Sequence, residues 1–235
     1  MIGLPIAVAS LAGLSCAAYL APHALRRTDE RRLRRRCRER RALVLTYDDG
    51  PGTTLTPALL KVLSTKDARA TFFLLGSRAE QAPLVVDQVV AAGHEIGCHG
   101  HHHWHPWRVA PARSVADIER GYAALGRWIA HAAIFRPPYG KLNLFSWLAL
   151  RRRRCRFGWW TIDAGDTHAI LPEPEQIAAR VRQSGGGVIL MHDFDRPHAD
   201  AAARASFVLA TTDLLLQVAE REGFQVQTLG ALLSA

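Results

Sequence analysis

From Ile2 to Leu25 the chain has no Asp, Glu, Lys or Arg. An uncharged run of about 20 residues is long enough to cross a bilayer. Only Met1 precedes it, whereas a secretory signal peptide places its positive charge first. Cysteine is scarce. Cys16, Cys37, Cys98 and Cys155 form no Cys-x-x-Cys pair and no disulfide-framework spacing, which fits a reducing compartment. Cys98, beside His99, reads as a small buried thiol rather than a ligand. No internal repeat is evident. Charge is also scarcer than its total suggests. The net charge is +9, but residues 1–41 hold ten Arg against Asp29, Glu30 and Glu39, a balance of +7. Residues 42–235 hold twenty Lys and Arg against eighteen acids, a balance of +2. Arg151–Arg154 and Arg156 therefore lack the wider basic face that a nucleic-acid binder needs, and no nucleic-acid partner is expected.

The basic block, Arg26 to Arg41, follows the apolar run. By the positive-inside rule it belongs on the cytoplasmic side. The boundaries expected are a membrane anchor over 1–25, a basic juxtamembrane segment over 26–41 and one domain over 42–235. The domain is expected in the cytoplasm. Pro5 and several small residues make the run only moderately hydrophobic, so an extracytoplasmic domain is the alternative.

Within the domain, short apolar runs alternate with helical patterns. Strands are predicted at 42–46, 70–75, 94–96, 133–135, 157–162, 187–191 and 224–228. Helices are predicted at 56–64, 83–92, 114–132, 143–150, 173–183 and 202–222. The first has Thr56 as N-cap and Pro57 at its first position. Such alternation implies parallel βα units, and seven or eight strands suggest an α/β barrel.

Polar residues cluster at the ends of these strands. Leu43-Val44-Leu45 runs into Thr46-Tyr47-Asp48-Asp49-Gly50-Pro51. Two adjacent carboxylates at a buried strand end are costly without a cation. About fifty residues later comes His99-Gly100-His101-His102-His103. One Asp and two His make the ligand set of an open catalytic metal site, leaving the other Asp free as a base. His101 and His105 share the spacing of His99 and His103, so spacing leaves the register open. Phe135–Gly140, Trp159–Asp166 and Val188–Asp193 repeat the arrangement, with chemistry at the C-terminal end of a strand-like run, where α/β barrels keep their active sites.

Together these segments resemble the polysaccharide deacetylases of the NodB-homology type, carbohydrate esterase family 4. The five family motifs occur in order: Thr46–Pro51, His99 with His103, Arg136–Gly140, Asp163 to Asp166, and Leu190-Met191-His192. The resemblance implies a distorted (β/α)7 barrel that removes an N-acyl group, N-acetyl above all, from an amino sugar. It implies Asp49, His99 and His103 as metal ligands, because Gly93–Gly97 matches the family's approach to its first histidine. Imidazole with carboxylate suits Zn2+, with Co2+ or Ni2+ acceptable. A metal so held activates water and polarises the acyl oxygen.

Asp48 is then the general base, oriented by Arg136. His192 is the general acid, raised by Asp166. The backbone N–H of Tyr139 serves the oxyanion, and Leu190 lines the acyl-methyl pocket. Two positions depart from the family pattern. Gly100 stands where Ser or Thr is usual, and Thr167 where Trp is usual, which leaves the pocket wall smaller or more open. The partner expected is an N-acetylated carbohydrate. A membrane-held cytoplasmic domain favours a lipid-linked saccharide over a polymer. The competing reading is a catalytically silent carbohydrate-binding or scaffold protein on the same fold.

Overall fold

The computed structural model describes residues 3–130, 133–196 and 200–234. Within its first helix it describes the side chains of Tyr19 and of residues 22 onward. Met1 and Ile2 of the expected anchor, and His131 and Ala132 of the expected 114–132 helix, lie outside the described residues.

Strand β1 (Ala42–Asp48) is buried at every position and forms the spine of the sheet. Its β-branched and leucine side chains pack on both faces, as a central parallel strand requires. Strand β2 (Thr71–Leu74) pairs with it on one side and β5 (Gly187–His192) on the other, both parallel. Strand β3 (Glu95–Cys98) extends the sheet beyond β2, and β4 (Ile162–Asp163) extends it beyond β5. Strand β6 (Gln225–Val226) joins the start of β1. All pairings are parallel, so the C-terminal ends share one edge of the sheet. The register sets Asp48 opposite His192 there.

The fold is thus α/β with a curved parallel sheet. Two predicted strands do not form as such. Phe135 and Phe157 make only single bridges, Cys98 to Phe135 and Phe135 to Phe157. Pro137 and Pro138 lack N–H donors and end the ladder after Phe135. Of the run 157–162, only Ile162 enters a named strand, β4, which it forms with Asp163. The described ladders leave the sheet open between β4 and Phe157.

Helices α2 (Leu55–Ser64), α3 (Gly76–Gln81), α4 (Pro83–Ala91), α5 (Pro111–Leu125), α6 (Leu144–Arg152), α7 (Pro174–Ser184), α8 (Ala201–Glu222) and α9 (Leu229–Ser234) connect and cover the strands. Asn143 caps α6, its side chain accepting the Ser146 N–H at 2.9 Å. Gly185, at φ 72°, ends α7 in the left-handed conformation that glycine adopts without strain.

Helix α2 is capped differently from expectation. Thr54, not Thr56, is its N-cap residue. The orphan N–H groups of Thr54 and Leu55 donate to the Asp195 carboxylate, each at 3.0 Å. Thr56 turns inward and donates to Asp193 at 2.6 Å. A distant carboxylate outcompetes the local hydroxyl for the helix terminus.

Helix α1 (Gly3–Arg40) carries the apolar run and the basic block on one continuous helix. Its C-terminal half packs on the domain, with Leu33 and Cys37 in the core. Arg36 donates to the carbonyls of Leu232 and Leu233. Among the described residues, α8 is the helix whose length and composition would allow it to cross a membrane. Phe207, Val208, Leu215 and Leu216 of α8 are buried, and it packs on α2 and α7 as part of the domain.

Candidate active site

The C-terminal ends of β1, β3 and β5 converge on a cleft of about 300 Å³. Asp48, Asp49, His99, His103, Tyr139, Leu190 and His192 all line it. Seven residues separated by up to 144 positions meet because parallel strands deliver their last residues to one edge.

Asp49 follows β1 with φ 68°, a conformation Asp tolerates better than most side chains. Its Oδ1 is buried without a hydrogen-bond partner. That atom lies 3.4 Å from His99 Nε2 and 3.3 Å from His103 Nε2. Ligand atoms from these three residues all lie within 4.8 Å of one another. An orphaned carboxylate oxygen facing two imidazole nitrogens is costly unless a cation completes it. The donor set therefore fits a divalent metal.

His99 is tuned for that use. Its Nδ1 meets the Arg136 carbonyl at 2.7 Å, which fixes the N–H there and leaves Nε2 with a lone pair. Burial lowers its pKa to about 3, so the ring is neutral.

The rest of the histidine tract turns away. The N–H groups of His101 and His102 donate to the Asp117 carboxylate, each at 3.0 Å. His101 is buried toward Arg120, with Nε2 3.3 Å from the guanidinium. His105 accepts the Trp107 N–H on Nδ1 and packs against Tyr139. The structure brings His99 and His103 to Asp49, while His101 and His105 have other partners. Gly100 has a local cause. Its φ is 86°, and a Cβ would come 2.7 Å from the Asp117 carboxylate. The hydroxyl residue usual in the family does not fit this turn.

Asp48 stands beside this group but is held elsewhere. Arg136, fully buried, donates to Asp48 Oδ1 at 2.6 Å and to Thr46 Oγ1 at 2.8 Å. Its Nε donates to the Gly158 carbonyl, and Phe73 covers its face at 4.0 Å. Burial pushes the Asp48 pKa up, and the Arg136 charge opposes the shift. Removing one partner of such a buried pair costs about 3–5 kcal/mol, because the other charge is left uncompensated.

Across the cleft, His192 Nδ1 lies 3.0 Å from Asp166 Oδ1. Asp166 is fully buried, accepts the His192 N–H at 3.1 Å and pairs with Arg196 at 3.2 Å. Burial alone would lower the His192 pKa. The Asp166 charge and hydrogen bond outweigh that and raise it to about 9. The ring is therefore cationic at neutral pH, with Nδ1 committed to Asp166.

Four contributors escaped the sequence reading. Trp160 lines the cleft together with Thr167, so an aromatic wall is present although Thr167 replaces the usual Trp. Phe194 lines it just beyond His192. Thr46 helps hold Arg136. Arg26, from α1, donates to the Gly140 carbonyl at 2.6 Å and lies 4.6 Å over Trp160. No local motif signals these contacts, since each depends on packing between distant segments. A second cleft, of about 290 Å³, adjoins between α2 and α8 and shares His192 and Phe194, but it lacks the converging ligands.

Parallel strands that end in a candidate metal site and a carboxylate-backed histidine define a metal-dependent hydrolase. The sequence profile of polysaccharide deacetylases matches residues 35–157. A peptidoglycan-N-acetylglucosamine deacetylase of Bacillus cereus is 28% identical over 193 residues, covering 81% of this chain and 87% of the relative. A chitooligosaccharide deacetylase of Sinorhizobium fredii is 30% identical over 199 residues, covering 80% and 90%. The fold superposes on a crystal structure of a peptidoglycan N-acetylglucosamine deacetylase with TM-score 0.72, at 26% identity and with 83% and 89% coverage. The chain belongs to the polysaccharide deacetylase family. It is accordingly a carbohydrate deacetylase that removes an N-acyl group from an amino sugar.

Proposed function

We propose that the chain hydrolyses the N-acetyl group of an amino sugar, using Zn2+ held by Asp49, His99 and His103. The observation that carries this reading is the unpartnered Asp49 Oδ1 facing two imidazole nitrogens. When bound, the metal supplies a Lewis acid to the acyl carbonyl and an acidified water. Asp48 takes the proton of the attacking water, with Arg136 holding its carboxylate in place. The Tyr139 N–H donates to the developing oxyanion, a kind of contact worth about 3 kcal/mol of barrier. His192 gives the proton at Nε2 to the amine as the C–N bond breaks, so acetate and a free amino sugar leave. Asp166 fixes the tautomer and the charge of that imidazole. Leu190 and Trp160 line the pocket against the acyl methyl and the sugar.

The competing reading is a catalytically silent carbohydrate-binding or scaffold protein on the same fold. What favours catalysis is that every residue of the chemistry is retained, and that His192 and Asp166 are in hydrogen-bond contact. Incubation with N-acetylated oligosaccharides in the presence of Zn2+ tests the reading. Equimolar acetate and new amine are expected, and the absence of both from a zinc-loaded protein would count for the silent alternative.

The same reading takes residues 1–25 as a membrane anchor, 26–41 as the basic segment on the cytoplasmic side and 42–235 as the catalytic domain. It is supported by the uncharged run followed by ten Arg, since carrying that block across a membrane is disfavoured by the potential and by anionic lipid. A reporter active only outside the cytoplasm, fused after Ala235, should stay silent. A strong signal would favour the extracytoplasmic alternative and leave the chemistry unaffected.

A further inference from the structure

The course of α1 relates the expected anchor to the catalytic cleft. At its C-terminal end, Arg38 donates to the Ser184 carbonyl and packs on Gly185, just before β5 begins. That is the edge of the sheet opposite the active site. Twelve residues earlier, about 18 Å along the helix, Arg26 bonds to Gly140 on the cleft wall. Tyr19 then meets Trp107, in the loop that follows β3, with ring centroids 6.0 Å apart. The helix runs antiparallel to β1 and leaves the domain on the catalytic side. Pro22 interrupts its hydrogen bonding and allows a bend. The contact of Tyr19, beyond that proline, still keeps the axis beside the cleft.

The level of the cleft follows from charge. Arg26 is the first charged residue after the uncharged run 2–25. The uncharged run therefore ends at the residue bonded to the cleft wall, so a helix inserted through the part of the run before Tyr19 holds the cleft rim at the headgroup layer. The surface around it has the composition of a membrane interface. Ile170, in the loop after β4 and three residues past the cleft-lining Thr167, is 85% exposed, and the cleft residue Tyr139 and Phe145 at the start of α6 are exposed as well. Lys141 lies 4.5 Å over Trp107. Cations beside exposed aromatic and aliphatic side chains suit anionic headgroups over acyl chains.

We infer that the catalytic cleft opens onto an anionic bilayer surface and takes its amino sugar from a lipid-linked carrier in the headgroup layer. The inference rests on the anchor reading above. A carrier confined to the same plane meets the cleft at high effective concentration, whereas a soluble polymer must thread between the rim and the lipid.

The test uses the full chain in vesicles of phosphatidylcholine and phosphatidylglycerol, with Cys16→Ala as background, since Cys37, Cys98 and Cys155 are buried. A fluorophore is attached through Ile170→Cys on the rim or Glu39→Cys at the other end of α1, and spin-labelled lipid serves as quencher. Flotation with the vesicles is measured first. Failure to float would overturn the anchor reading and the inference together. In a floating protein, loss of most of the Ile170 emission with the Glu39 emission retained is the result expected. Equal quenching, or stronger quenching at Glu39, would overturn the inference alone. On a synthetic N-acetylglucosaminyl lipid in the same vesicles, acetate release should exceed that from a soluble N-acetylglucosamine oligomer by about tenfold or more. Equal or faster release from the soluble sugar would overturn the substrate assignment. No release from either would count against the deacetylase reading itself.

Discussion

Two histidines on opposite walls of one cleft have been given opposite electrical characters. His99 follows parallel strand β3 and His192 ends parallel strand β5, and both side chains are largely buried. His99 presents Nδ1 to a backbone carbonyl, and burial drives its pKa down to about 3. His192 presents Nδ1 to the Asp166 carboxylate, which overcomes burial and carries its pKa up to about 9. A carbonyl fixes the tautomer without charging the ring, and a carboxylate fixes the tautomer and charges it. The partner of the far nitrogen therefore decides whether the near nitrogen offers a lone pair or a proton. One wall can bind a cation and the other can donate an acid proton, although the residue type is the same.

Loss of a proton-transfer residue should have the largest effect. His192→Ala and Asp48→Asn should each lower turnover by about 10²–10⁴-fold while metal content stays near one equivalent. Acetate release with elemental analysis checks this, and near-normal turnover in either variant would remove that residue from the chemistry. On the other wall, His103→Ala should lose metal and activity, whereas His105→Ala should keep both. Metal loss in His105→Ala alone would move the ligand register by two residues.

Asp166→Asn would give His192 a neutral partner, closer in kind to that of His99. A general acid must hold its proton, so turnover should fall as pH rises through the His192 pKa. In the native protein that alkaline limb is expected near pH 9. Without the Asp166 charge, only the Asp49 and Asp48 charges are left to oppose burial, and the limb should shift to lower pH. An unshifted profile would mean that another group sets the limb. The smallest effect expected is from Asp195→Ala, which removes the cap of α2 from the loop that follows His192. A stability loss of about 1 kcal/mol in denaturant unfolding, with turnover largely kept, is the outcome expected.

Much of this site is legible in the sequence, because its residues sit at the ends of apolar runs. A parallel sheet turns that sequence pattern into spatial convergence, so Asp48, Asp49, His99 and His192 arrive at one edge. What was not legible depends on partners far away in sequence. The histidine tract has a repeated spacing, and only Asp117, reaching back from α5, determines which rings face Asp49. Thr56 has every local mark of an N-cap, yet Asp195 takes that place and frees Thr56 for Asp193. Trp160 reads as a strand residue, but the ladder fails before it, and its ring turns to the cleft. The basic block reads as a charge run. Its helical spacing places Leu33 and Cys37 on the domain and Arg26 on the cleft wall, a docking that composition does not reveal.

The division of labour between the two walls is tested most directly by nitrogen NMR of the imidazole rings during a zinc titration near neutral pH. Zn2+ should shift the Nε2 signals of His99 and His103 to those of a metal-bound nitrogen, while His192 keeps protons on both nitrogens before and after. A metal-bound signal from His101 or His105 in place of His103, or a His192 ring that is neutral or ligates the ion, would contradict that division.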